Sequence, residues 1–341
     1  MKQVVTFGEV LLRLKSPGNE RLLQTSAFEA TFCGSEVNVA VALANLEDRA
    51  IFVTAIPNNR LGDICLREIA KWRVDTSYIA RCNGRLGTFY LEAGANQRPS
   101  VVIYDRDYSS ASQMRVTDVD WDKIFSNSDW LHISGITPGL SQTACDTTLE
   151  VLKQARKNDV TVSCDLNYRK KLWNYGKQAH EIMPEILRYV DICFANEEDC
   201  QYSLGIGEKD KHAEYLKPEA CRNLCEKVLS EFPRLRAVAI SLRESINANH
   251  NSWAACIHDR KDFYLSRKYD ITNIIDRVGS GDSFSAGMIY AIRHGMGSAE
   301  SLEFAVALSC LKHSILGDFN LTSKEEVFQL LNSSGNGRVQ R

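Results

Sequence analysis

The feature that most constrains the fold is the regular alternation of short apolar runs with longer segments of helical period. Runs rich in β-branched residues, such as VVTFGE, AIFVTAI, VTVSCDL, VDICFAN and RAVAISL, recur along the chain. Helices are expected between them, beginning at about Ser35 and about Leu61. Nearly continuous apolar strands that alternate with helices are typical of a mainly parallel sheet covered by helices. The sequence therefore predicts an α/β protein.

Two stretches interrupt this alternation, one from about Leu11 to Cys33 and one from about Leu86 to Arg106. Each has the pattern of paired strands joined by polar or glycine-containing turns. They predict a small β-sheet that projects from the core, either as a lid over a site or as a subunit contact. We expect one domain over residues 1–341, with residues 333–341 as a flexible tail.

Composition excludes several classes of function. The chain has 341 residues, with 41 Lys and Arg against 43 Asp and Glu, so its net charge of -2 gives no reason to expect nucleic acid as a partner. No apolar run approaches membrane-spanning length, and the N-terminal segment lacks an export signal, so we expect a cytoplasmic location without membrane contact. The eleven cysteines are scattered in apolar contexts and are interpreted as buried free thiols. Cys221 and Cys225 have no second pair that would make a zinc site.

The most informative segment is DRVGSGDSF, residues 276–284, because it places glycines immediately before a predicted helix. Free backbone N–H groups at a helix N-terminus, together with the helix dipole, bind phosphate oxygens. A carboxylate in such a loop suggests a general base, and Asp282 is the candidate. The alternative is an ordinary glycine turn in which Asp282 caps the helix. The spacing fits neither a Walker A loop nor a dinucleotide fingerprint.

The segment DRVGSGDSFSAG resembles the D-x-[TV]-G-[AG]-G-D-x-F-x-x-G signature of PfkB, or ribokinase-like, sugar kinases. This resemblance implies a three-layer α/β/α sandwich with a mainly parallel central sheet and a small β-sheet lid. It also implies that Asp282 is the catalytic base and that the amides of Gly279, Ser280 and Gly281 form the anion hole. ATP and Mg²⁺ are implied as cofactors, and a requirement for a monovalent cation stays open.

Two further elements concern the nucleotide. Asn196 and Asp199 stand where the family has an N-x-x-E motif that positions magnesium through water, but the fourth residue here is the shorter Asp. The acidic residues there are equally consistent with a solvated helix start. In place of the family's T-x-G-x-x-G loop the chain has Ser241, Arg243 and a long polar stretch without glycine. Ser241 and Arg243 either contact nucleotide phosphates or belong to a plain surface loop.

The sugar end carries FCGSEVNVA, residues 32–40, which is similar to the family's G-G-x-x-x-N-x-A motif, with Cys33 in place of the first glycine. Gly34 permits a close approach by a polyol, and Asn38 offers a donor and an acceptor. Small residues of a packed helix are the alternative interpretation.

The segments YLEAG, VVIYDRDYSSAS and DLNYRKKLW resemble those of 2-keto-3-deoxygluconate kinases. The resemblance implies that Tyr90, Tyr104, Arg106 and Arg169 hold the substrate, and arginine forks match a carboxylate. We therefore expect phosphorylation of a sugar acid at its C6 hydroxyl by a homo-oligomer that associates through the lid. The alternatives are a neutral-sugar kinase such as a fructokinase, for which Arg106 and Arg169 are incidental, and a non-catalytic sugar-acid sensor.

Overall fold

The predicted central sheet is present and is mainly parallel. The computed structural model describes residues 2–207 and 217–332. Strands β11, β10, β9, β8, β1, β4 and β5 lie side by side in this order and run parallel, and β12, β13 and β14 extend one edge in antiparallel pairs. The strands of this sheet are β1 (Gln3–Phe7), β4 (Ala50–Pro57), β5 (Ile79–Cys82), β8 (Ser128–Ser134), β9 (Thr161–Asp165), β10 (Ile192–Ala195), β11 (Ala237–Asn247), β12 (His250–His258), β13 (Phe263–Leu265) and β14 (Tyr269–Ile271).

Helices cover both faces of this sheet and bury two apolar cores. One layer contains α3 (Trp121–Ser126), α4 (Gln142–Lys157), α5 (Ala179–Leu187), α6 (Glu197–Leu204) and α7 (Pro218–Glu231). The other contains α1 (Ser35–Asn45), α2 (Arg60–Ala70), α8 (Ser280–Arg293), α9 (Ser298–Lys312) and α10 (Lys324–Asn332). Every residue of β4 is buried, which explains its unbroken apolar run. The predicted three-layer α/β/α sandwich is confirmed.

The two interrupting stretches form a separate four-stranded sheet, as predicted. Its strands are β2 (Leu11–Lys15), β3 (Glu29–Cys33), β6 (Gly87–Glu92) and β7 (Val101–Asp105), in the order β3-β2-β6-β7. We call this sheet the lid. Its inner face packs Leu11, Cys33, Phe89 and Leu91 together, close to Val278.

One segment differs from its prediction. The polar stretch after Ser241 is not a surface loop, because β11 continues to Asn247 and turns directly into β12. Backbone pairing along this hairpin satisfies the polar groups that a loop would leave to solvent. The polar stretch without glycine is therefore part of a regular hairpin.

The cysteines agree with their interpretation as free thiols. All eleven cysteines are free, with Cys82 and Cys310 partly exposed and the others buried. Within residues 2–207 and 217–332, no helix is long and apolar enough to cross a bilayer. The proposed flexible tail, residues 333–341, lies outside the described residues.

Candidate active site

A cleft of about 700 Å³ opens beside the start of α8. Its walls come from the segments that follow β9 and β10, from β11, and from the loop before α8. These are carboxyl ends of parallel strands, where open α/β sheets place their ligands. The candidate residues that line the cleft are Arg169, Asn196, Asp199, Ser241, Arg243, Gly279, Ser280, Gly281 and Asp282.

The glycine loop has the predicted position at a helix N-terminus. Gly279 precedes α8 with φ +84°, and a Cβ there would lie 2.1 Å from the carbonyl oxygen of Asp318. Only glycine fits this left-handed, tightly packed position. At Gly281 a Cβ would meet no protein atom within 4 Å. The space at Gly281 opens into the cleft, as it should if a ligand approaches the backbone there.

The carboxylate of Asp282 lies between this loop and α1. Its Oδ1 accepts a hydrogen bond from the Ser35 hydroxyl at 2.8 Å, and its Oδ2 accepts one from the Asn38 amide at 2.6 Å. Burial raises the pKa of Asp282 to about 6, while the bonds from Asn38 and Ser35 and the charge of Arg169 act in the opposite direction. A base with such a pKa is ionised at neutral pH and can still hold a proton briefly.

Asp282 is therefore more than a helix cap. Its two oxygens are engaged by side chains of α1, and no cap bond from its own helix is formed. Asn38 also accepts from the Gly34 amide through Oδ1, at 3.3 Å. The predicted sugar motif and the predicted base are thus in direct contact, although 244 residues separate Asn38 from Asp282.

Gly34 and Arg106 meet through a residue that the sequence analysis did not single out. A Cβ at Gly34 would lie 2.1 Å from the Glu9 carbonyl oxygen, which explains the need for glycine. The Glu9 carboxylate accepts from Arg106 through Nε at 2.8 Å and through Nη2, and both side chains are buried. Glu9 is the second residue beyond the end of β1, at the carboxyl edge of the sheet, and this position is the signal that could have identified it.

The lid tyrosines lie on opposite faces. Phe89 is paired with Tyr104, and Tyr90 is paired with Ile103. Tyr104 lies on the inner face, where the Arg106 guanidinium is 5.3 Å from its ring centroid. Tyr90 instead packs edge-on against exposed Phe28 at 5.8 Å. Because successive strand residues alternate between faces, Tyr90 and Tyr104 lie on opposite faces of the lid, and the contact of both tyrosines with the substrate stays a prediction.

Arg169 is an exposed cation of the cleft. Its Nη1 donates to the neighbouring Tyr168 carbonyl oxygen at 2.9 Å, and its charge acts to lower the pKa values of Asp165, Asp199 and Asp282. Asp165 is buried, and burial together with repulsion from Asp199 and Asp282 raises its pKa well above the usual range. Arg169 is thus the positive charge among several carboxylates.

Asn196 and Asp199 form a reciprocal cap at the start of α6. Asn196 Oδ1 accepts from the Asp199 amide at 2.7 Å, and Asp199 Oδ2 accepts from the Asn196 amide at 3.1 Å. Asp199 Oδ1 accepts from the Tyr168 amide at 2.8 Å, and burial raises the pKa of Asp199 to about 6. The pair has a structural role while still lining the cleft.

This donor set fits a magnesium ion that keeps its water. In the part of the chain that the structure describes, no three His, Cys, Asp or Glu side chains are grouped to hold a metal directly. Mg²⁺ usually takes one or two carboxylates, together with substrate phosphates and several waters. Asp199, with its oxygens occupied by backbone amides, suits contact through water.

The wall of the cleft formed by β11 and the loop before α8 includes a cation that the sequence analysis missed. Arg277 lines the cleft and donates through Nη2 to the carbonyl oxygens of Asn247 at 3.1 Å and Ala248 at 2.6 Å. The same hairpin tip contacts the lid, since the Ala248 amide donates to the Asn96 carbonyl oxygen at 2.7 Å. Ser241 donates weakly to the Ala195 carbonyl oxygen at 3.4 Å, and Arg243 is exposed to the cleft.

Comparisons with known proteins found a matching family model and similar sequences and structures. A family model described as pfkB family carbohydrate kinase matches residues 1–318. The crystal structure of a 2-dehydro-3-deoxygluconokinase from Thermotoga maritima is 43% identical, covers 98% of this chain and 100% of its own, and superposes with a TM-score of 0.92. A 2-dehydro-3-deoxygalactonokinase from Haloferax volcanii is 29% identical over 98% of both chains. A 2-dehydro-3-deoxygluconokinase from Bacillus subtilis is 25% identical over 96% of this chain and 95% of its own.

The two glycines of the loop should respond differently to alanine. Gly279→Ala forces a side chain into a left-handed backbone position, at a cost of about 1–2 kcal/mol before the clash with Asp318 is counted. Gly281→Ala adds a methyl group to open space, so thermal denaturation should show a lower Tm for Gly279→Ala alone. Titration calorimetry with ATP should show weaker binding for Gly281→Ala. Equal stability of the two variants would contradict the packing described for Gly279.

Proposed function

The match over residues 1–318 means that the chain belongs to the pfkB family of carbohydrate kinases and is a sugar kinase, and we propose that it transfers the γ-phosphoryl group of ATP to the C6 hydroxyl of 2-keto-3-deoxygluconate. The observation that carries the proposal is the convergence of Asp282, Ser35 and Asn38 beside the anion-binding loop. The 2-dehydro-3-deoxygluconokinases of Thermotoga maritima and Bacillus subtilis supply the substrate class.

The positive charges of Arg106 and Arg169 support an acidic sugar as the substrate. Arg106 already forms an ion pair with Glu9 through Nε and Nη2, so its charge is largely balanced before any ligand binds. Arg169 is exposed and lines the cleft that Asp282 also lines. In the proposal Arg169 is the main partner of the substrate carboxylate, and Arg106, fixed over Tyr104, donates from its remaining edge.

The proposed chemistry assigns a role to each part of the loop. Asp282 takes the proton of the C6 hydroxyl as that oxygen attacks the γ-phosphorus, and the bond to ADP breaks on the opposite side. The amides of Gly279, Ser280 and Gly281 stabilise negative charge on the transferring group. Magnesium, when bound with ATP, supplies further neutralising charge, and Asn196 and Asp199 would hold its water. Ser241, Arg243 and Arg277 would contact the nucleotide.

The raised pKa of Asp282 predicts the acid limb of the pH profile. Because the base must be ionised, kcat/KM should fall as the pH drops through about 6, close to tenfold per unit below it, and should be level above it. An ordinary aspartate would place this limb near pH 4.

Asp282→Asn should lower kcat by roughly 10²- to 10⁴-fold or more at every pH. The matched control is Asp122→Asn, an exposed aspartate of α3. Near-normal turnover of Asp282→Asn would remove Asp282 from the mechanism.

Substrate identity is tested by coupled ADP release with 2-keto-3-deoxygluconate, its galactonate epimer and fructose. We expect both keto-deoxy acids to exceed fructose in kcat/KM by at least about tenfold, since each charged hydrogen bond contributes about 1.5–3 kcal/mol. The Haloferax volcanii relative makes the galactonate epimer the second candidate. Preference for fructose would replace the proposal with a neutral-sugar kinase, and stabilisation by the acid without ADP release would replace it with a sensor.

Arg169 provides the finer test of the same proposal. Arg169→Met should raise KM for the acid by about tenfold or more. At a pH well above the pKa of Asp282, where that carboxylate stays ionised without the Arg169 charge, the variant should change the kinetics with fructose far less. Lys170→Met removes an exposed charge from the next residue and is the matched control. An equal change for acid and neutral sugars would show that Arg169 does not bind the carboxylate.

We also propose self-association through the outer face of the lid. This face exposes Phe28, Val101 and Ile103 to solvent, and Tyr90 lies among them. A contiguous apolar sheet face is typical of a protein interface, and an identical lid offers a matching surface.

A charge on this face should separate the subunits. Ile103→Lys should shift the mass measured by light scattering to that of a monomer, whereas Ile64→Lys should not. Ile64 is the matched control, because it is 50% exposed on α2 and Ile103 is 49% exposed on the lid. A wild-type protein that is monomeric at all concentrations would contradict lid-mediated association.

A further inference from the structure

Two fully buried cations lie directly behind the anion-binding loop. Arg13 on the lid strand β2 is 1% exposed, and Lys312 at the end of α9 is 0% exposed. Charged side chains are almost never buried to this degree unless they are paired. Neither residue lines the cleft, so neither is explained by contact with a substrate.

Both cations are paired with the segment that carries the loop. Arg13 donates to Asp276 Oδ2 at 2.5 Å through one nitrogen and to Asp318 Oδ1 through another. Lys312 Nζ donates to the Asp276 carbonyl oxygen at 3.3 Å and to the Ile315 carbonyl oxygen at 3.1 Å. Arg13 thus forms ion pairs with both carboxylates, and Lys312 binds carbonyl oxygens beside them. We call this buried group the charge cluster: Arg13, Asp276, Lys312 and Asp318.

The charge cluster contacts the loop on both sides of Gly279. Asp276 Oδ1 accepts from the Val278 amide at 3.1 Å, which fixes the chain just before the glycine. The Asp318 carbonyl oxygen packs against the Gly279 Cα, at the position where a Cβ would clash. The Ser280 carbonyl oxygen is turned away from the cleft by the Ser309 hydroxyl, at 2.6 Å.

Carbonyl groups of the loop are therefore held towards the protein interior. The Asp276 carbonyl is bound to Lys312, the Ser280 carbonyl to Ser309, and the Gly279 carbonyl to the Ser283 amide at 2.9 Å. Within the described residues, no hydrogen bond to protein uses the amides of Gly279, Ser280 or Gly281. Preorganised donors of this kind are effective only if their geometry is fixed before the ligand arrives.

We propose that Arg13 is a positioning residue for phosphoryl transfer: it fixes the anion-binding loop by bridging Asp276 and Asp318 and ties the loop to the lid. Arg13 belongs to β2, while both carboxylates belong to the body of the protein, so the base of the lid and the loop form one unit. The inference rests on the proposed role of the loop in phosphoryl transfer.

Arg13→Lys is the first test, because a lysine keeps the charge and cannot bridge two carboxylates with a planar fork. We expect kcat to fall by about tenfold or more, with the KM for the sugar within about threefold of wild type, since small misplacements at a reacting centre are costly. The double variant Arg13→Met/Asp318→Asn keeps the buried charges balanced and should show the same loss. This double variant replaces Arg13→Lys in the kinetic test if Arg13→Lys does not fold.

Arg156→Lys is the matched control. Arg156 forms a two-pronged pair with Asp191 at the opposite end of the sheet, with distances of 3.3 and 2.6 Å. We expect it to lower the Tm without changing kcat. The positioning role is overturned if folded Arg13→Lys or the double variant keeps kcat within twofold of wild type, or if Arg156→Lys lowers kcat equally.

The proposed substrate and the proposed positioning role of Arg13 can be contradicted separately. If the wild-type protein phosphorylates no keto-deoxy acid, the proposed substrate is wrong, and the same comparison of variants is made with the sugar that it does phosphorylate. A loss confined to the Arg13 variants bears on the positioning role alone.

Discussion

The packing of Gly279 against the Asp318 carbonyl is the contact on which the proposed chemistry depends. It requires a left-handed backbone at Gly279 directly before α8, and the first residues of that helix line the cleft. The same turn places Asp282 one residue beyond Gly281, where its carboxylate meets Ser35 and Asn38 of α1. A single backbone conformation therefore brings the Asp282 carboxylate and the first backbone amides of α8 to the same part of the cleft.

Charge is distributed around this turn in two layers. In the buried layer behind it, Arg13 forms ion pairs with Asp276 and Asp318, and Lys312 binds the Asp276 carbonyl oxygen. The cleft layer in front is rich in carboxylates, and mutual repulsion contributes to the high pKa of Asp165. Arg169 is an exposed cation close to these carboxylates, and its charge acts to lower their pKa values.

The lid and the body of the protein are joined by a hairpin rather than a glycine loop. Because β11 and β12 pair as far as Asn247, the hairpin tip reaches Asn96 of the lid, and Arg277 holds the same tip from the loop side. The lid is thus attached to the body at its base through Arg13 and at its far turn through Ala248. Arg277, which holds the hairpin tip, lines the cleft, so the second attachment lies beside the cleft.

The sequence by itself determined the α/β class, the lid strands and the position of the glycine loop before a helix, because these depend on local periodicity and on glycine next to helical spacing. It also identified Gly34, Asn38 and Asp282, but their contact across 244 residues came only from the packing of α1 against α8. Tertiary structure decided on which face of the lid Tyr90 lies, that a hairpin follows Ser241, and which contacts Glu9, Arg13 and Arg277 make. Strand register, ion pairing and burial are relations between distant segments, and no local pattern records them.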